Sequence, residues 1–417
     1  MDNVTRRRFL TLSGVTAAGA LAAGATQVHW SDLLAAAVND PLPSDESVLV
    51  VITLYGGNDG LNTVVPAADP AYQNARPDLA YQPNEVLDLG EGLGLNPGLK
   101  GLKGLWDDKQ LAIVRGVGYP QPDRSHFRSM AIWQTASPKS PIPTGWLGRW
   151  LDATGADPLR AVSVEPTLPP LLAGASTAAA SLPLRGLALP KGAIGTAYAA
   201  LGKPSPGEGL WQAKAAKAVL DLQEATRVLG TAVKMGHDET AGDEDEQRTQ
   251  GASAGGASQL GAQLELIAGL IEAGVPTRAY SASLGGFDTH ADERGTQQRL
   301  LSELDTALTP FAQRLAKTDR GKNVVVLVYS EFGRRVQANG SDGTDHGTAG
   351  PVLVLGNKVA GGFHGEQPSL TDLSNGDLKA TTDFRDVYAS VLQHVLGTDP
   401  GKILDGHTTT IDGLLRA

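Results

Sequence analysis

Cysteine is absent from all 417 residues of the chain. Without it no disulfide framework can hold the fold, so stability must come from a buried core and from any metal the chain binds. The same absence removes thiolate as a metal donor, which leaves imidazole nitrogen and carboxylate oxygen. An excess of basic residues is missing as well. The formal net charge is -10, so there is no broad cationic surface to displace counterions from nucleic acid, and no nucleic-acid partner is expected. Beyond the N-terminal segment no stretch reaches the roughly 18 apolar residues of a membrane-spanning helix. No internal repeat is visible, which sets solenoids and propellers aside.

What is present is the composition of a globular protein, 41% hydrophobic and 19% charged, with 51 glycines and 25 prolines that imply many loops. The length permits one large α/β domain or two smaller ones. At the N-terminus, Thr5-Arg6-Arg7-Arg8-Phe9-Leu10 matches a twin-arginine export signal, and a weakly apolar Ala/Gly-rich segment follows to about Ala25. Ala23-Gly24-Ala25 and Ala35-Ala36-Ala37 each offer a small-residue cleavage site. Residues 1–37 are therefore read as a signal peptide and N-terminal segment, with the twin-arginine translocase as partner and the periplasm or medium as destination. That route carries folded proteins, which suits a chain that assembles around a cofactor before export.

The remaining chain organises itself around Lys322 to Leu355. Val324 to Tyr329 is continuously apolar and β-branched, as in a strand buried on both faces of a parallel sheet. Ser330, Glu331 and Phe332 end it, a Gly/Asp-rich loop brings Asp342, Asp345 and His346, and a second apolar run spans Val352 to Leu355. Ser47 to Tyr55 is a similar strand that delivers Asp59 through Gly56-Gly57-Asn58. Thr277 to Ser283 delivers Asp288 and His290 through Gly285-Gly286-Phe287. Leu111 to Val114 leads to a turn and then to a helix whose N-terminal residues are Arg124, Ser125 and Arg128. Alternation of these strands with helices at 259–273, up to about 316 and at 383–396 predicts a mostly parallel central sheet covered by helices on both faces. A single domain over 45–417 follows, with a mobile loop near 236–256 around Asp243-Glu244-Asp245-Glu246.

Ligands in open α/β sheets bind outside the carboxyl ends of the strands, so the polar residues there are site candidates. Each also has an ordinary explanation. Asp59 can be a turn residue, Ser125 a helix cap, and Asp288 with His290 a capped glycine turn. If Asp288 and His290 do bind a metal, their donor types suit zinc or a similar ion. Ser125, at the positive end of a helix dipole, is well placed as a nucleophile or beside an anion.

Taken together, LYGGNDGLN, RSHFRSMAIWQTA, GGFDTH, SEFGR, GTDHGTAGPVLVLG and DFRDVYASVLQHVLG resemble the domain of unknown function family 1501, twin-arginine-exported relatives within the alkaline phosphatase/sulfatase superfamily. The resemblance implies an alkaline-phosphatase-like fold. It implies metal ligation by Asp59, Asp288, His290, Glu331 and His346, with Ser125 as the hydroxyl nucleophile. Phe332 departs from that pattern because phenylalanine cannot ligate, so one zinc-like site is expected and a second is incomplete. Arg124, Arg128, Arg334 or Arg335 would then supply charge to the substrate. A formylglycine sulfatase is disfavoured by the missing cysteine and by the lack of a proline two residues after Ser125. The expected activity is metal-dependent hydrolysis of a small-molecule phosphate or related ester. The alternative is a non-catalytic exported binding or assembly protein that keeps the fold and one ion.

Overall fold

The computed structural model describes residues 30–182 and 260–416. The N-terminal segment up to residue 29, expected as an export signal, and the loop near 236–256 lie outside the described residues.

A nine-stranded sheet forms the centre. Its main strands are β1 (Val48–Leu54), β2 (Leu111–Gly118), β3 (Ala161–Ser163), β4 (Ala180–Ser181), β5 (Ala279–Leu284), β6 (Val324–Ser330), β7 (Gly350–Leu355) and β8 (Gly362–His364). They lie in the order β8-β2-β7-β6-β1-β5-β3-β4, with Thr382–Asp383 also paired to β2. The two longest apolar runs are neighbours: β1 pairs in parallel with β6, from Val48 opposite Val324 to Leu54 opposite Ser330. On its other side β1 pairs in parallel with β5.

Alternation of side chains along each strand divides the core in two. Val48, Val50, Ile52 and Leu54 point to one layer, with the helix Leu260–Ala273 and the long helix α2 (Glu293–Leu315). Leu49 and Val51 point to the other, with α1 (His126–Thr135), the helix Trp146–Ala153 and α3 (Phe384–His394). Because both faces are covered, these strands read as continuous apolar runs rather than as alternating ones. The expectation of a mostly parallel, doubly covered sheet is met.

Only β7 runs antiparallel to its neighbours in the path of main strands, β2 and β6. The segment between β6 and β7 explains this. It forms a two-stranded ribbon, Arg334–Ala338 with Thr344–His346, rather than the crossover helix that a parallel return needs. The folded body also begins earlier than residue 45. A helix spans Trp30–Asn39, and its Leu33 is fully buried in the first core layer. No helix among the described residues is long and apolar enough to cross a membrane.

Glycine is required where the end of β1 meets the turn after β5. Gly56 has φ +116°, and a Cβ there would lie 2.5 Å from the Asp288 nitrogen. Gly56→Ala should therefore destabilise the protein by about 2–4 kcal/mol through strain and overpacking. Gly269→Ala, in a helix with open space around it, should be neutral or stabilising by up to about 1 kcal/mol. Denaturant titration of both variants checks the contrast, and equal losses would contradict it.

Candidate metal centre

Leu54 of β1 is level with Leu284 of β5 and Ser330 of β6. The carboxyl ends of three strands therefore lie side by side, and the turns that follow them converge. At the centre is a single carboxylate oxygen, Asp288 Oδ1. It accepts a hydrogen bond from Arg334 at 2.8 Å, and three imidazole Nε2 atoms surround it: His290 at 3.0 Å, His346 at 3.1 Å and His126 at 3.4 Å. The His290 and His346 Nε2 atoms are 2.9 Å apart.

Two of the rings are held from behind. His346 Nδ1 lies 2.8 Å from the Arg124 carbonyl. A carbonyl only accepts, so Nδ1 carries a proton, which turns Nε2 toward Asp288 as the ring atom available to a cation. His126 Nδ1 lies 2.8 Å from Glu331 Oε1, the carboxylate-imidazole arrangement that raises ligand basicity. Glu331 is itself buried and fixed by the Gly56 N–H and the Ser330 hydroxyl. His290 is held less firmly, with Nδ1 3.6 Å from Asp345 Oδ1, and its side chain is 45% exposed. Phe332 forms a wall, its ring centroid 4.9 Å from those of both His126 and His346. That ring lies against Gly57, where a Cβ would come within 2.1 Å of it.

Asp288, His290 and His346 are thus brought together as expected, and Glu331 stands one step behind them, orienting His126. Two assignments need correction. Asp59 is buried with both oxygens engaged by the Arg76 guanidinium, so its charge is already matched and it is not part of the cluster. Arg334 is 1% exposed and donates to the carbonyls of Gly56, Gly57, Phe287 and Thr344 as well as to Asp288. It positions the site and cannot touch a substrate. Ser125 is exposed at the N-cap of α1, and its hydroxyl makes no capping bond. Arg124 and Arg128 are exposed nearby, paired with Asp377 and Asp123. Arg335 is turned to Asn375 and Asp377.

His126 was missed in the sequence. The available signal was a histidine at the first position of the helix, directly after the candidate serine.

The electrostatics favour a cation. Burial pushes the Asp288 carboxyl up, but hydrogen bonds from His126, His346 and Arg334 outweigh it and hold the group ionised far into acid. For His126, burial lowers the pKa, yet Asp288 and Glu331 together raise it to about 9. In the cation-free protein, then, a proton on His126 supplies the positive charge that the carboxylates call for.

The donor set fits a metal. One donor atom from each of His126, Asp288 and His346 lies within 4.8 Å of the others. Tetrahedral zinc with bonds of about 2.0–2.1 Å places its donors about 3.3–3.4 Å apart, close to the 3.1 Å and 3.4 Å that separate Asp288 Oδ1 from the His346 and His126 nitrogens. His126 Nε2 is buried, with Asp288 Oδ1 at a long 3.4 Å, and a metal bond would satisfy it more fully.

A family model described as a Protein of unknown function (DUF1501) matches residues 106–414. No curated protein matches the chain. Among solved structures it is similar to a protein in the alkaline phosphatase superfamily from Vibrio parahaemolyticus, at 10% identity and a TM-score of 0.38, over 91% of this chain and 77% of that one. It is also similar to phosphonate monoester hydrolases. The one from Silicibacter pomeroyi is 10% identical with a TM-score of 0.38, over 87% of this chain and 76% of that one. The one from Agrobacterium radiobacter is 11% identical with a TM-score of 0.40, over 87% and 78%.

The raised His126 pKa sets a pH dependence. Its contribution to stability is complete below the ordinary value of 6.5 and is lost as pH rises through about 9. A divalent cation competes with protons for the same nitrogens, so its affinity should rise over that interval. The Tm of chelator-treated protein is expected to fall between pH 6.5 and 9, while the Tm gain on adding zinc grows. A zinc effect that shrinks with rising pH would remove the imidazoles from the site.

Proposed function

The chain belongs to the DUF1501 family, and from the geometry of its site we propose that it is an exported hydrolase of phosphate or related esters that uses one divalent cation, zinc being the first choice. One observation carries this reading: three imidazole Nε2 atoms gather on a single carboxylate oxygen, with two of the rings fixed from behind. When bound, the cation supplies Lewis-acid chemistry, neutralising ester oxygens that otherwise repel a nucleophile.

His126, Asp288 and His346 hold it, with Glu331 and the Arg124 carbonyl as the groups behind the imidazoles. Ser125 is the nucleophile. Its hydroxyl is free of capping bonds, and it sits at a helix N-terminus, where N–H groups and the dipole favour developing negative charge. It is flanked by Arg124, whose carbonyl holds His346, and by His126. Arg124 and Arg128 add positive charge at the surface. His290, the loosely held and exposed ring, is free to pass a proton to the departing oxygen.

The second reading, an exported binding or assembly protein, is favoured by a separate observation. Phe332 cannot ligate and both Asp59 oxygens are taken by Arg76, so neither position offers a donor to a second cation, as the two-metal clamp of many phosphoryl-transfer enzymes would need.

Metal analysis of protein purified without chelator, alongside a panel of phosphomonoesters, phosphodiesters and sulfate esters, separates these readings. His126→Ala and His346→Ala should lose the metal. Ser125→Ala and His290→Ala should keep it while kcat falls by about 10²–10⁴-fold. Full metal content with no turnover of any ester would favour the binding protein, and unchanged metal in His346→Ala would dismiss the centre.

Export is proposed on the N-terminal motif alone. Replacing Arg6 and Arg7 by lysine should retain the protein in the cytoplasm, as read by fractionation; unimpaired export of that variant would exclude the twin-arginine route.

A further inference from the structure

Beside the candidate centre lies a cavity of about 840 Å³, within the range of ligand sites. One wall is the loop between β2 and α1, and the other is the segment from Ser374 to Asp383. The two sites share Arg124: its carbonyl holds His346, and its side chain lines the cavity.

The charged side chains of this cavity are already matched. Asp123 pairs with Arg128, Arg124 with Asp377, Lys379 with Asp372, and Asp383 with Arg385. A ligand carrying its own charge would have to break one of these pairs. Three lining side chains make no hydrogen bond among the described residues, and all three are neutral: Gln121, Ser374 and Asn375. Amide and hydroxyl groups both donate and accept, which is what an alcohol hydroxyl needs in return. Pro120 and Pro122 add exposed apolar ring faces. Two of the free side chains also stand on left-handed backbone, Gln121 with φ 55° and Asn375 with φ 54°. For Asn375 this conformation is set by the two-residue Asn375-Gly376 turn between the paired Ser374 and Asp377, which fixes where its amide stands.

We propose that this cavity binds a neutral, hydroxyl-rich group, a sugar or polyol, as the alcohol portion of the ester cleaved at the neighbouring centre. The placement beside the reacting bond rests on the hydrolase reading; the binding preference rests on the cavity alone. The experiment keeps the two apart.

Chelator-stripped full-length mature protein is titrated with glucose, inositol and mannitol, and separately with succinate as a charged control, by NMR or calorimetry. At least one neutral polyol should bind, the Gln121→Ala/Asn375→Ala variant should weaken it at least tenfold, and succinate should not compete. The metal-loaded protein is then assayed on p-nitrophenyl phosphate and on hexose phosphates. The double variant should raise KM for the hexose ester about tenfold and leave metal content and aryl ester turnover unchanged. Polyol binding without hydrolysis of any ester would fell the hydrolase reading and keep the cavity's ligand class. Turnover of the aryl ester with no polyol binding, or with both esters equally affected in the variant, would overturn the cavity proposal alone.

Discussion

The Arg334 guanidinium is the constraint on which the rest of the structure depends. It is buried, so each of its N–H groups must find an acceptor. It finds them in the turn after β1, in the turn after β5, and in the ribbon strand that leads to His346. A planar fork can tie three separate turns together in this way, whereas a lysine ammonium cannot. Asp288 completes the set and so holds its ionised carboxylate at one place. Removing Asp288 would leave the buried guanidinium without its one charged partner, which is unfavourable. Removing Arg334 would also loosen the convergence, because one guanidinium ties all three turns.

Charge balance explains why the cluster suits one cation and not two. Asp288 and Glu331 face three imidazoles and one guanidinium, and the surplus negative charge is enough to hold a proton on His126 to about 9. A few residues away the balance has been struck differently. Burial pushes the Asp59 carboxyl up, and the Arg76 guanidinium more than reverses it. Glu293, buried next to Asp59, is pushed up by burial and by that neighbouring carboxylate, so it keeps its proton. A built-in guanidinium and a neutral carboxyl thus occupy the environment in which a second ion would need two free carboxylates.

The sheet was largely legible in the sequence because β1 and β6 are buried on both faces, and two-sided burial writes itself as an unbroken β-branched run. The residues that meet at the strand ends were legible for the same reason: a strand that stops abruptly announces where its next polar side chain will stand. Asp288, His290 and His346 were found in this way. What was not legible depends on partners distant in sequence. Nothing near Asp59 reveals that Arg76, on another turn, will take both its oxygens. Nor does the neighbourhood of Arg334 show that it will be sealed beneath the site by carbonyls of Gly56, Phe287 and Thr344. His126 was hidden by a subtler effect. A helix start accommodates a serine for several reasons, and the adjacent histidine gains meaning only once β6 has placed Glu331 behind it.

Arg124 joins the cavity to the centre. Its main chain fixes the tautomer of His346, while its side chain closes the cavity by reaching Asp377. Asp377 is also approached by Arg335, whose own guanidinium holds the Asn375 carbonyl and whose chain neighbour is Arg334. The path from the cavity wall to the keystone guanidinium therefore passes through one carboxylate and two adjacent residues. A group that entered the cavity and drew Asn375 or Asp377 toward itself would pull on the same backbone that positions Asp288. On the proposed ester-hydrolase reading, geometry of this kind would let the bulk of a substrate spend its binding energy on alignment at the reacting atoms.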